Sequence, residues 1–406
     1  MLNILWGLFG ILVVLGIGFA LSNNKRSIKW RPILVGLAIQ LTFAFLVLVT
    51  DPGRKALQML TFGVNNIIAY ANEGISFVLG GFGYEADGGM VFAINVLCII
   101  IFFSSLISVL YYLKIMQIVI KFLGGGLSWL LGTRKAESMS AAANIFVGQT
   151  EAPLVVKPYI SSMNNSQLFA VMTGGLASVA GSVLIGYSQL GVPLEYLLAA
   201  SFMAAPAGLI MAKLFFPDTD DSPDPEDLQM AADNDATNVV DAAAKGASTG
   251  LQLVLNVGAM LIAFIALIAM LNGILGGIGG FFGFNNLSIE LILGYIFAPL
   301  AFAIGIPWNE AIQAGNFIGQ KLVLNEFVAY ANFAPMMDQL SDKTVAVVTF
   351  ALCGFANISS LAILLGGLGN LAPERRPDIA RLGIRAVIAG ALASMLSASI
   401  AGMFFF

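Results

Sequence analysis

Apolar runs of about 20 residues, each long enough to cross a hydrocarbon core as a helix, recur along this chain with the charges confined between them. Backbone exposed to lipid must satisfy its own polar groups, which leaves helices or closed barrels. A barrel needs short alternating strands, and none are visible. Composition agrees: 58% of residues are hydrophobic and 10% charged, where about 25% charge is usual in soluble domains. The expected fold is an all-α polytopic membrane protein with about eight transmembrane helices, two re-entrant hairpins in an inverted repeat, and interfacial helices. The net charge of −4 says little, because it resides in loops. With no histidine in the chain, histidine metal sites and histidine proton relays are excluded. Cys98 and Cys353 fall inside apolar runs and read as two buried membrane thiols.

Basic residues orient the walk. Residues 2–21 read as a first span rather than a cleaved signal peptide, since no basic region precedes them. The second span is 32–50. Lys25, Arg26, Lys29 and Arg31 between them place that loop in the cytoplasm and both termini outside. Residues 51–89 read as an outer interfacial helix and a glycine-rich loop. The third span, 90–112, returns the chain to Lys114, Lys121, Arg134 and Lys135, with 115–131 lying along the inner surface. Spans at 167–190 and 193–215 follow. Residues 217–241 hold nine acidic residues and no basic one, a solvated loop. A sixth span at 251–276, a second surface segment at 287–306, and spans at 344–371 and 384–406 complete the chain. The segments group as scaffold 1–89, first repeat 90–216, acidic loop 217–248 and second repeat 249–406. An inner (plasma) membrane location is expected, with the lipid bilayer as solvent and no nucleic-acid partner.

Two polar segments interrupt this pattern. Residues 138–161 include NIFVGQTEAPLVVKPY at 144–159, broken by Gly148, Pro153 and Pro158; residues 308–340 carry Asn325 and Glu326. Each is a surface loop or a hairpin dipping to membrane depth. Irregular backbone survives at that depth only against protein or a wet cavity, and a glutamate there is a functional group by default. NIFVGQ at 144–149 resembles NFIGQ at 316–320, and ASV at 177–179 matches ANI at 356–358. Each unit adds three crossings, so the second copy enters from the opposite face, as in secondary transporters whose site lies between the copies. Small and polar residues sit in mid-span at 173–182 and 354–360. Small residues there suit tight helix packing, but Asn357, Ser359 and Ser360 together fit a broken helix facing a ligand better. No nucleotide-binding glycine loop, metal-ligand spacing or nucleophile–histidine pair appears, so enzymatic chemistry is not expected.

VGQTEAP at 147–153, NEFVAY at 325–330 and FANISS at 355–360 resemble, in order and spacing, the signatures of the concentrative nucleoside transporters. The similarity runs nearly the length of the chain. It implies a homotrimer in which a substrate-carrying domain moves like an elevator against a trimerising scaffold. Carried over by motif, Gln149, Thr150 and Glu151 would hold the nucleobase, with Val183 as an apolar wall. Glu326, Asn357 and Ser360 would hold the ribose hydroxyls, with Phe355 packing nearby. Sodium would lie between Asn144 and Ser178 side chains and the Val147 and Val179 carbonyls. Asn144 and Ser178 could also be ordinary packing residues, and a proton-coupled version would have to titrate Glu151 or Glu326. The expected activity is therefore sodium–nucleoside symport. Proton coupling or another small polar solute is the alternative, and a passive channel or an intramembrane enzyme is disfavoured.

Overall fold

The computed structural model describes residues 2–83, 91–219, 236–284 and 287–405. Most of the acidic loop and the end of the glycine-rich loop lie outside them. The described residues are helical throughout, without strands: α1 (Leu2–Ala20), α2 (Trp30–Leu48) and α3 (Asp51–Leu79) are followed, after a π-helical turn at Ala93–Leu97, by α4 (Ile99–Tyr112) and α5 (Ile115–Leu131). Then come α6 (Lys135–Ala143), α7 (Lys157–Ile160), α8 (Asn165–Ala177), α9 (Gly181–Gln189) and α10 (Leu194–Phe215). The second half holds α11 (Val239–Phe281), α12 (Ile289–Ala303), α13 (Trp308–Val323), α14 (Glu326–Phe333), α15 (Asp342–Leu352), α16 (Ile358–Leu371) and α17 (Arg376–Met403).

By length and composition the described helices supply seven membrane spans, or up to 8 counting a bent pair. The polytopic expectation therefore holds. That bent pair is α12 with α13. Two of the spans expected from sequence, 167–190 and 344–371, are interrupted where small and polar residues mark mid-span: α8 stops before Ser178, and α15 stops before Cys353. The second break leaves two helices too short to be counted among the seven. The two polar segments are also broken. Residues 144–151 turn between α6 and a 3-10 helix at Ala152–Val156, and Leu324 and Asn325 separate α13 from α14.

Burial divides the helices into two kinds. α8, α9, α10 and α17 are almost wholly buried; α6, α14 and α15 pack against them, and α13 packs against α14 and α15. α11 pairs lengthwise with α4 and turns Ile262, Ile265, Met270 and Phe281 outward. Gly246 and Gly250 make that pairing close; a Cβ on either would lie 2.6–2.7 Å from atoms of α4. Of the two thiols, Cys353 is buried and Cys98 only partly so.

Three boundaries differ from the sequence expectation. α11 begins at Val239, inside the stretch read as loop, because Asn238 caps it by accepting from the Asp241 N–H at 2.9 Å. Hydropathy marks only the apolar portion of a helix, so the polar first turns were invisible to it. The third span starts with a π-turn rather than an α-helix. α17 starts at Arg376 rather than 384, with Pro377 in its first turn and Asp378 accepting from Arg375 at 3.0 Å.

Candidate substrate and ion site

The two span breaks meet. Ser178 leaves α8 in extended backbone, and its carbonyl accepts the Phe355 N–H at 3.0 Å. Gly354 permits this approach: a Cβ there would stand 2.9 Å from the Ala177 carbonyl oxygen and 2.6 Å from Ser394 Oγ. The tip of the first hairpin is pinned to the same place. The Phe146 carbonyl accepts from Gly181 N–H at 3.0 Å, and Ser201 Oγ of α10 donates to the Ile145 carbonyl at 2.8 Å.

Two asparagines form the N-terminal ends of the second-half fragments. Asn357 caps α16, its Oδ1 accepting from Ser360 N–H at 2.8 Å and Ser359 Oγ at 2.7 Å. Asn325 caps α14 by accepting from Val328 N–H at 2.8 Å, which puts Glu326 in the first turn, where the helix dipole favours negative charge. The Glu326 carboxylate is buried and accepts from Tyr187 OH at 3.1 Å through one oxygen and from Asn357 Nδ2 at 2.9 Å through the other. Tyr187 stacks on Tyr330 with ring centroids 4.4 Å apart. A carboxylate offers about four lone-pair sites, so both oxygens keep capacity for substrate hydroxyls.

These elements enclose a cavity of about 130 Å3. Gln149, Thr150, Glu151, Val183, Glu326, Phe355, Asn357 and Ser360 all line it, so the eight residues named from sequence motifs converge on one space. Gln149 Oε1 is buried there with no hydrogen-bond partner. Glu151 turns one carboxylate oxygen back to the Gly148 N–H at 2.6 Å. The fourth wall was not foreseen: Leu253, Val257, Met260 and Leu261 of α11 close the cavity on its apolar side. Nothing in the apolar stretch of α11 distinguishes residues facing a ligand from those facing lipid. Tyr187 was likewise missed, because an isolated tyrosine in a span carries no spacing signal.

The four residues named for sodium lie at the junction of hairpin tip and span break. Asn144 is buried; its Nδ2 donates to the Ser140 carbonyl at 2.9 Å, while its Oδ1 has no partner. Ser178 Oγ donates to the Gly174 carbonyl at 3.0 Å and keeps its lone pairs. Among the described residues the Val147 and Val179 carbonyls accept no hydrogen bond. Neutral oxygens with unused acceptor capacity suit a small hard cation. The described residues contain no cluster of three His, Cys, Asp or Glu that could hold a metal, and none of Asn144, Val147, Ser178 and Val179 carries a carboxylate.

Paired broken helices and polar hairpin tips around a buried cavity define a secondary transporter. Models for the Na+ dependent nucleoside transporter N-terminus and C-terminus match residues 9–82 and 196–402, and a nucleoside recognition gate model matches 93–193. The chain is 58% identical to the uncharacterized transporter YutK of Bacillus subtilis, over 99% of this chain and 100% of the relative. It is 51% identical to the nucleoside permease NupC of Helicobacter pylori, over 98% and 97% of the two chains. The solved structure of CNTnw in an inward-facing substrate-bound state superposes with a TM-score of 0.95 at 54% identity, covering 99% of this chain and 98% of that one. An outward-facing variant of CNTnw superposes with a TM-score of 0.96 at 53% identity, covering 99% of each. The chain belongs to the Na+-dependent, or concentrative, nucleoside transporter family. It is a multi-pass membrane protein and a sodium-dependent secondary active transporter of nucleosides, not an enzyme.

Proposed function

We propose that the cavity between the two hairpins binds one nucleoside with its base toward hairpin 1 and its ribose toward hairpin 2. Gln149, Thr150 and Glu151 contact the base edge, where an amide and a carboxyl offer donors and acceptors side by side. Val183 is the apolar wall. Glu326, Asn357 and Ser360 hold the ribose diol, with Phe355 packed beside it. A carboxylate accepting from two hydroxyls makes strong, charge-assisted bonds. Sodium is bound one turn away by Asn144, Val147, Ser178 and Val179.

One observation carries this reading: two buried amide oxygens on the same short segment, Asn144 Oδ1 and Gln149 Oε1, lack partners. Buried polar atoms rarely stay unsatisfied. An ion at the first and a base at the second would supply what each lacks. Both ligands then order the same hairpin tip, which is how their binding becomes coupled.

The carrier unit is proposed to comprise hairpins 1 and 2 with the broken spans, moving against α4 and α11. The second repeat is proposed to enter the membrane from the opposite face to the first. Three contacts support cytoplasmic basic clusters and external termini. Arg31 Nη2 donates to the Trp129 carbonyl at 2.8 Å, and Arg385 donates to Asn23 Oδ1 at 3.4 Å, so these basic loops share one face. Asn3 meets the Phe405 carbonyl, which brings the two chain ends together. A homotrimer, implied by the family resemblance, would use outward apolar surface such as that of α11.

Labelled uridine uptake into proteoliposomes, with sodium replaced by choline at fixed pH, tests the coupling ion. Accumulation should stop on replacement. Uptake that persists and follows a pH gradient would assign the coupling to protons.

A further inference from the structure

Hairpin 2 carries a buried charge that forms no ion pair; the Glu326 carboxylate acts on it through the field alone, without contact. Lys321 of α13 is 0% exposed. Its ammonium donates to the Ala351 carbonyl at 2.7 Å and to Ser394 Oγ at 3.1 Å. None of the ion pairs among the described residues includes it. An ammonium buried without a contacting carboxylate is costly unless polar groups surround it. Here those groups are the ones the helix break exposes.

The last carbonyls of a helix have no intrahelical donor. At the end of α15, Ala351 O accepts Lys321 and Cys353 O accepts Ser394 Oγ at 3.2 Å, while Thr349 O, already bonded to the Cys353 N–H, also accepts Tyr330 OH at 2.7 Å. A cation also opposes the negative end of the helix dipole. Tyr330 and Lys321 both come from hairpin 2. They therefore fix the end of α15 to the hairpin that bears Glu326, just ahead of the residues that deliver Asn357.

The first break contrasts with this point by point. There, Asn144 Oδ1 and Gln149 Oε1 have no partners. Among the described residues the contacts of the buried lysines lie elsewhere, those of Lys213 on Glu137 and Ser166 and those of Lys321 at the end of α15. In hairpin 2 the matching amide oxygens are filled: Gln320 Nε2 donates to Asn316 Oδ1 at 2.8 Å, and a third amide, Asn332 Nδ2, donates to Gln320 Oε1 at 2.6 Å. One copy has unpartnered oxygens and no cation of its own. The other has its oxygens filled and a covalently held cation.

We propose that the Lys321 ammonium is the built-in cation of the second repeat. It does at the α15–α16 break what sodium does at the α8–α9 break, and it positions Glu326 and Asn357 for the ribose. Lys321 is a positioning residue and does not touch the substrate. The comparison with sodium rests on the ion site assigned above; the positioning role does not.

The test is Lys321→Met in proteoliposomes, read by uridine KM and by the thermal shift that sodium alone produces on the purified protein. The expected result is a KM raised about tenfold or more, with the sodium-alone shift retained. A KM within about twofold of the parent overturns the proposal. So does joint loss of uridine binding and the sodium shift, which would make Lys321 a general fold element. Asn144→Leu separates the two readings. A sodium-alone shift that survives Asn144→Leu removes the ion site but leaves the Lys321 result standing.

Discussion

The Phe355 N–H donates to the Ser178 carbonyl at 3.0 Å, so the break in one span is hydrogen-bonded directly to the break in its repeat-mate. Ser178 belongs to the proposed ion site, and Phe355 lines the nucleoside cavity. One backbone hydrogen bond thus joins the two. Movement of either break is felt at the other without any longer relay, because packed interiors shift between discrete arrangements rather than deforming smoothly.

Glu326→Gln should weaken nucleoside binding by at least about tenfold, since hydrogen bonds to charged groups contribute about 1.5–3 kcal/mol each. Asn357→Ala removes both the α16 cap and a donor to Glu326, and should lose more. Equilibrium binding of labelled uridine to folded variants checks both. Full uptake in the two variants would contradict the ribose assignment.

Tyr187→Phe keeps the stack on Tyr330 and removes only the hydroxyl that donates to Glu326. A net loss of about 1 kcal/mol corresponds to roughly a fivefold rise in KM, with little change in maximal rate. An unchanged KM would mean that the hydroxyl does not orient the carboxylate.

Gly354→Ala should cost about 1–3 kcal/mol of stability as an overpacked contact, because its Cβ would meet the Ala177 carbonyl oxygen at 2.9 Å. Transport should fall as well, since the two breaks are pushed apart. Gly273→Ala is the control: nothing lies within 4 Å of its Cβ, and thermal unfolding should show no loss. Equal melting behaviour in the two variants would contradict the close approach.

Away from the cavity, Lys213 of α10 pairs with Glu137 of α6 at 2.7 Å, both buried. Lys213→Met leaves the carboxylate without its partner and should destabilise by about 3–5 kcal/mol. Adding Glu137→Gln should recover much of that loss in thermal unfolding. A double variant as unstable as the sum of the singles would show that the pair is not coupled.

Much of this organisation was legible in the sequence, for identifiable reasons. Asn144, Gln149, Glu326 and Asn357 stand out because polar groups are costly among apolar runs, and their positions in interrupted segments marked where the backbone would break. The α11 wall was not legible, since Val257 or Leu261 looks like any lipid-facing residue until the fold turns it inward. Lys321 was hidden for a different reason. A lysine beside a polar hairpin reads as a loop charge, and only the structure places its ammonium against the end of α15. The start of α11 was missed because a polar capped turn carries no hydropathy signal.

Calorimetric titration of uridine with and without sodium, and of sodium with and without uridine, tests most directly whether ion and nucleoside order one shared hairpin tip. Linkage requires each ligand to raise the other's affinity by the same factor. The expected result is a common factor of at least about tenfold, lost in Asn144→Leu while weak uridine binding persists. Uridine affinity that is the same in sodium and in choline would contradict it.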